Sequence, residues 1–257
     1  MLRLTGLGHY VSQRYIREIG IDACVYIGRG VEPEGTSALD DESRVLFLDT
    51  VRRSNAACQA GDYGLAASLY TEALGLDPAS HVLYSNRSAA RLKMGMFALA
   101  LQDAVRATEL SPTWPKAYYR QGVALQCLGR YADALVAFSL GLAREPSNGQ
   151  LLSGLIEATL KSPLRLNLEP TFQQLRAMKL DESPFVVVSV VGQELLGAGQ
   201  YRASAHCLEA ALAIGSCSLK LRGSVFSALS SAYWAMNSLD KAINYMQQDL
   251  VIFSAYR

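Results

Sequence analysis

The chain carries one pattern three times in succession: GDYGLAASLYTEALGLDP at 61–78, GMFALALQDAVRATELSP at 95–112 and GRYADALVAFSLGLAREP at 129–146. Each copy begins with glycine, has an aromatic residue two positions later and an alanine five positions later, and ends at a proline. The copies begin 34 residues apart, so four residue classes hold one register through three cycles. Two amphipathic stretches in each cycle, separated at the glycine, predict one antiparallel helix pair per repeat.

The register extends beyond these copies with slips and predicts six helix pairs. Pro163 replaces the expected glycine, and Asn237 stands 38 residues beyond Gly199, which predicts a four-residue longer connection near 215–221. The fold class is therefore expected to be an all-α superhelical solenoid, with twelve helices and no strand in 41–253. The run at 185–191 has strand-like composition, but the register makes it a buried helix. The predicted pairs are 41–77, 81–111, 115–145, 149–180, 184–214 and 222–253.

Composition narrows the function classes. Lys and Arg number 24 against 23 Asp and Glu, a net charge of +1, which argues against a general nucleic-acid or anionic-membrane binder. Half of the residues are hydrophobic, which provides for a sizeable core, and no apolar stretch is long enough to span a bilayer. Five cysteines, with no CxxC, indicate a reducing compartment and no disulfide framework. We expect a cytoplasmic protein without nucleic-acid binding or membrane insertion.

Four segments follow from the register. Residues 1–40 are expected to be a poorly ordered leader, and 41–148 three consensus repeats that form a groove. A degenerate helix pair at 149–180 precedes two further repeats at 181–257, where the array stops with an apolar last helix. Because no polar helix follows it, we expect a fragment, an isoform or part of a longer array, and self-association through that helix.

Catalytic and metal-binding patterns are scarce in the chain. His9, His81 and His206 lie far apart and show none of the common metal-ligand spacings, so no cofactor and no metal are expected. His206 and Cys207 are adjacent, but neighbours on a helix point about 100° apart, so a buried structural cysteine is favoured over a nucleophile pair. An enzyme remains the disfavoured alternative.

A cluster of amides and cations falls on the first helices of the first three repeats. Asn55 and Asn86 lie on the first two of these helices, and Lys116 and Arg120 share one face of the third. First helices line one surface of such an array, and this set suits an extended peptide that ends in carboxylates. A solvated face is the equal alternative from spacing alone.

The segments HVLYSNRSAA (81–90) and WPKAYYRQGVAL (114–125) resemble the tetratricopeptide repeats of heat-shock co-chaperones, whose carboxylate clamp holds the chaperone tail Glu-Glu-Val-Asp. The resemblance implies clamp roles for Asn55, Asn86, Lys116 and Arg120. The fifth clamp position, a lysine in that family, is Val51 here, and Arg52 stands beside it as a substitute.

From residue 41 onward, stretches such as KLDESPFVVVSVVGQELL also resemble a very long scaffold member of the tetratricopeptide repeat family. This resemblance implies a non-enzymatic scaffold for protein or peptide partners in cell division, located at the centrosome, spindle or midbody. A co-chaperone module that binds acidic C-terminal tails is the alternative.

Overall fold

The computed structural model describes residues 40–216 and 218–254, which form twelve α-helices and no strand. The all-α helix-turn-helix fold class predicted from the repeat is therefore confirmed, whereas the predicted leader lies outside the described residues apart from Asp40. The chain divides into two compact units, one ending at Leu128 and one beginning at Gly129. The helices are α1 Asp41–Gln59, α2 Tyr63–Leu76, α3 His81–Lys93, α4 Phe97–Leu110, α5 Pro115–Cys127, α6 Tyr131–Arg144, α7 Gly149–Lys161, α8 Arg165–Ala177, α9 Pro184–Gly197, α10 Tyr201–Ile214, α11 Leu219–Ala235 and α12 Leu239–Ser254.

The turns inside the helix pairs use the left-handed backbone that glycine adopts without strain. Gly61 and Gly95 have φ of 83° and 75°, and each comes one residue after the C-cap of the preceding helix. Asn237 occupies the same position before α12 with φ 58°, which asparagine tolerates better than most residues. The turn before α12 therefore has the same left-handed backbone, although asparagine replaces glycine there.

In the first unit, each helix packs against its neighbours in the chain, and α3 also contacts α5. Ala66 and Ala100 are fully buried, which fits close helix crossings at the repeated alanine. A buried polar link joins α3 to α4, because Asp103 accepts from both Arg87 and Arg91 at 2.7 Å and 2.8 Å. This link fixes α3 against α4, and α4 in turn packs against α5.

The second unit departs from simple repeat order. Helix α6 packs extensively against α10 as well as α7, and the Ser139 hydroxyl lies 3.6 Å from the Cys207 sulfur in that contact. Helix α8 contains Pro170 and makes only slight contacts with α7 and α9. In a solenoid each repeat is expected to pack only on its neighbours in sequence. That expectation is wrong in this unit, because α6 packs against α10 as well as against α7.

The four extra residues before the last repeat lie inside a helix. The connection at 215–218 is as long as those at 77–80 and 111–114, and α11 has 17 residues where α3 and α5 have 13. The predicted longer connection near 215–221 is thus wrong, because the insertion extends the helix by about one turn.

Two further sequence expectations concern buried and exposed apolar residues. The run at 185–191 is helical, and Phe185, Val187, Val188 and Val191 are buried in α9. Among its described side chains, helix α12 exposes five large apolar ones, Leu239, Ile243, Met246, Leu250 and Val251. No helix in the described part of the chain has the length and apolarity needed to cross a membrane. Cys58 is disulfide-bonded, whereas Cys127 and Cys207 are not, so the expectation of a chain without disulfides is wrong at Cys58.

Candidate functional site

Arg120 is the most unusual residue of the first unit, because its large cationic side chain is almost completely buried. It lies on α5, and only 1% of its surface is exposed. Burial lowers the pKa of its guanidinium to about 10, and the neighbouring Tyr119 opposes that shift. A buried charge is expensive unless the protein or a ligand compensates it. The burial does not fit the solvated face that spacing alone allowed.

Two lysines share the electrostatic environment of Arg120, and we call the three residues the cationic cluster. Lys116 lies one turn before Arg120 on α5, and burial together with the charge of Arg120 lowers its pKa to about 8. The same two causes, burial first, lower the pKa of Lys93 at the end of α3. Three positive charges therefore converge from two packed helices, an arrangement that suits an anionic ligand.

The two asparagines differ in their surroundings. Asn86 on α3 is 1% exposed, and its Nδ2 has no hydrogen-bond partner among the described residues. Asn55 on α1 is half-buried, and its Oδ1 accepts from the Tyr70 hydroxyl at 2.6 Å. The buried Nδ2 of Asn86 can therefore donate to a ligand, whereas the side-chain oxygen of Asn55 already accepts a hydrogen bond within the protein.

The residues next to Asn55 on α1 add no cation to this group. Val51 is 3% exposed and belongs to the apolar core of α1, α2 and α3. The side chain of Arg52 is 80% exposed, and its Nη2 pairs with Asp49 Oδ1 at 2.5 Å on the same helix. The structure therefore does not join Arg52 to the cationic cluster.

Burial also changes two expectations about substitutions. The resemblance to the clamp predicts that Val51→Lys strengthens peptide binding by supplying the fifth cation. Because Val51 lies in the apolar core, we expect this substitution instead to bury a charge and destabilise the fold. Charge reversal of Lys116 and Arg120 is expected to leave the fold intact only if both face solvent. Since Arg120 is buried, substitutions that neutralise Lys116 are the cleaner probe.

Sequence reasoning missed Lys93. The residues 34 positions away on either side are Gln59 and Cys127, so the position belongs to no repeated residue class. Its spacing of seven from Asn86 puts both residues on one face of α3, two helical turns apart, and that spacing was the available signal.

His206 and Cys207, the alternative catalytic pair, have surroundings that indicate a structural role. Cys207 is fully buried in the second unit, and burial raises the pKa of its thiol to about 12, only partly offset by its contact with Ser139. The exposed His206 instead lies with its Nδ1 3.9 Å from Glu209 Oε2. A thiol of that pKa is not a nucleophile at neutral pH. Among the described residues, no group of three or more histidine, cysteine or acidic side chains is placed to hold a metal ion.

Comparison with known proteins supports the interpretation of the 34-residue repeat as a tetratricopeptide repeat. No family model matches the chain. Tetratricopeptide repeat protein 28 of Homo sapiens is 62% identical over 208 residues, which are 81% of this chain and 8% of that protein. The chain is a tetratricopeptide repeat protein. It spans 8% of the length of this relative, so the activity of the whole relative does not transfer to it directly.

Other relatives of this tetratricopeptide repeat protein match shorter parts of the chain. The Hsp70-Hsp90 organizing protein of Triticum aestivum is 46% identical over 106 residues, which are 41% of this chain and 18% of that protein. A solved structure of the first TPR domain of Spaghetti (RPAP3), bound to the HSP90 peptide SRMEEVD, is 28% identical. It covers 47% of this chain and 93% of its own, with a TM-score of 0.43.

Proposed function

We propose that the first unit binds acidic peptide segments at the cationic cluster and Asn86, and that the chain is a non-enzymatic scaffold for protein partners. The burial of Arg120 beside two lysines is the observation that carries the proposal. Such a cluster is costly in the free protein, and a bound carboxylate offsets that cost through charge-assisted hydrogen bonds.

Calorimetric titration with the peptide SRMEEVD tests this proposal. Lys116→Gln removes one charge of the cluster, and the dissociation constant is expected to rise at least tenfold, since a charge-assisted hydrogen bond contributes about 1.5–3 kcal/mol. Lys220→Gln is the matched control, because Lys220 is an exposed lysine on α11 in the other unit. Equal binding by both variants and the parent contradicts the proposal.

A co-chaperone role is the second candidate, in which the preferred ligand is the C-terminal tail of a chaperone. It is favoured by the match of 106 residues to a protein named as an organizer of Hsp70 and Hsp90. A scrambled peptide with the composition of SRMEEVD separates the two candidates. A co-chaperone prefers the native order at least tenfold, whereas a general acidic-peptide scaffold binds both.

A role in cell division, at the centrosome, spindle or midbody, completes the proposal for the scaffold. It rests on the resemblance of residues 41 onward to a very long repeat scaffold. Imaging of the tagged chain in dividing cells, beside the Lys116→Gln variant, tests it. Recruitment of the parent to these structures supports the role, and a uniform distribution in mitosis contradicts it.

A further inference from the structure

The charges of the proposed peptide site are concentrated on two helices. Lys93 lies on α3, and Lys116 and Arg120 lie on α5, where α3 and α5 pack together. The buried Nδ2 of Asn86 adds an uncharged donor on α3. One anionic group can receive charge-assisted hydrogen bonds from this cluster.

Helix α1 contributes nothing comparable within its described length. Val51 is buried in the apolar core, and Arg52 is exposed and paired with Asp49. Arg53 is exposed, and its register is that of Arg87, one position and about 100° around the helix from the register of Asn86 and Arg120. Arg44 lies eleven residues before Asn55, roughly 16 Å along the helix axis.

Because the cationic cluster lies on α3 and α5 and not on α1, the two sides of the site suit different parts of a peptide. Among the described residues, α1 offers no buried cation to a free carboxyl terminus placed beside it, so the desolvation of that ionised group is unfavourable. A peptide that continues past α1 presents neutral amide groups there instead. The backbone carbonyl of such a peptide needs only an uncharged donor, and the amide of Asn55 is one.

We propose that the site recognises the side-chain carboxylate of one acidic residue within a peptide, and that a free carboxyl terminus is not required. This inference rests on the proposed peptide-binding function and narrows its ligand to internal acidic segments. It separates this chain from a site that holds two carboxylates of a C-terminal aspartate.

Fluorescence anisotropy with three labelled peptides tests the inference on the full chain. The peptides are SRMEEVD with a free carboxyl terminus, the same peptide amidated at its terminus, and SRMQQVN with a free terminus. Amidation is expected to change the dissociation constant less than fivefold, and the neutral side chains of SRMQQVN to raise it at least tenfold. An increase of fivefold or more on amidation overturns the inference, and so does a smaller effect of SRMQQVN.

Arg52→Gln supplies the matched variant on α1, because Arg52 shares the repeat register of Asn86 and Arg120. Its affinity for both forms of SRMEEVD is expected to stay within twofold of the parent. If Arg52→Gln weakens binding of the free-acid peptide but not of the amidated one, α1 holds the terminal carboxylate. That result overturns this inference but leaves the proposed peptide-binding function standing. If no peptide binds the parent, the proposed function itself fails.

Discussion

At the scale of single residues, the charges of the cationic cluster lower the stability of the free protein. Lys116 has a pKa of about 8 instead of 10.5 because burial and the charge of Arg120 both disfavour its charged form. The unfolded chain therefore binds more protons than the folded chain between these two pH values, and stability rises with pH across that window. Below pH 8 the charged lysine destabilises the fold.

Lys116→Met removes this cost and is expected to stabilise the chain at pH 7 by about 1–2 kcal/mol, after allowance for partial exposure. The difference from the parent is expected to shrink as pH rises through the window from 8 toward 10.5. Urea unfolding of both proteins at pH 7 and pH 10 measures it. If the variant is less stable than the parent at pH 7, the charged form of Lys116 does not destabilise the fold.

Individual residues of the site were predictable to different degrees. Asn86, Lys116 and Arg120 followed from the resemblance to the clamp, because that pattern specifies residue types at fixed spacing. The depth of Arg120 did not follow, since a cation on an amphipathic helix is normally interpreted as solvent-facing. Lys93 was missed because its partners in register are unrelated in type.

At the scale of helices, close approach at glycine positions supports the second unit. A Cβ at Gly192 in α9 meets Leu208 Cγ of α10 at 2.7 Å, which is too close without movement. Gly197, at the end of the same helix, has open space around its Cβ position. The two glycines form a matched pair.

Gly192→Ala is expected to lower the free energy of unfolding by about 1–3 kcal/mol through overpacking. Gly197→Ala is expected to leave it unchanged or to raise it by up to about 1 kcal/mol, because alanine favours the helix. Chemical denaturation of the two variants measures the contrast. Equal effects of the two substitutions rule out a close α9–α10 contact at Gly192.

The repeated alanine offers the same kind of test in the first unit. Ala100 on α4 is fully buried, and its carbonyl accepts from the Ser88 hydroxyl of α3 at 2.8 Å. Ala100→Leu is expected to destabilise the fold by about 1–3 kcal/mol. Ala98→Leu, on the exposed face of the same helix, is the control and is expected to stay within about 0.5 kcal/mol of the parent. Thermal unfolding that ranks the two alike contradicts the close crossing.

Helix pairs and turns were more predictable than helix packing. Repeated glycines at 61 and 95 marked turns that need positive φ, and the structure has it there. A 34-residue period counts residues without saying which of them are helical, so the insertion that lengthens α11 was assigned to a loop. The α6–α10 contact was missed because repeat logic assumes that neighbours in sequence are neighbours in space.

At the scale of the whole molecule, the last helix presents an apolar surface to solvent. Leu250 and Val251 are exposed on α12, and a groove of about 330 Å³ between α11 and α12 is lined partly by Phe226. We expect concentration-dependent self-association, because removing these side chains from water is favourable.

Light scattering over a concentration series measures this association. Leu250→Ser is expected to reduce it, whereas Leu166→Ser is the control, since Leu166 is 85% exposed on the distant helix α8 of the same unit. A parent that stays monomeric at high concentration means that the exposed face of α12 does not drive assembly.

The central claim for the whole molecule is that acidic peptides bind one small region of a nearly neutral protein. The chain has six lysines, at 93, 116, 161, 179, 220 and 241, and only the first two belong to the cationic cluster. Reductive methylation with and without saturating SRMEEVD, quantified at each lysine by mass spectrometry, tests the claim directly. The account predicts protection of Lys93 and Lys116 and unchanged labelling of the other four. Protection confined to lysines outside the cluster, or protection of none, contradicts it.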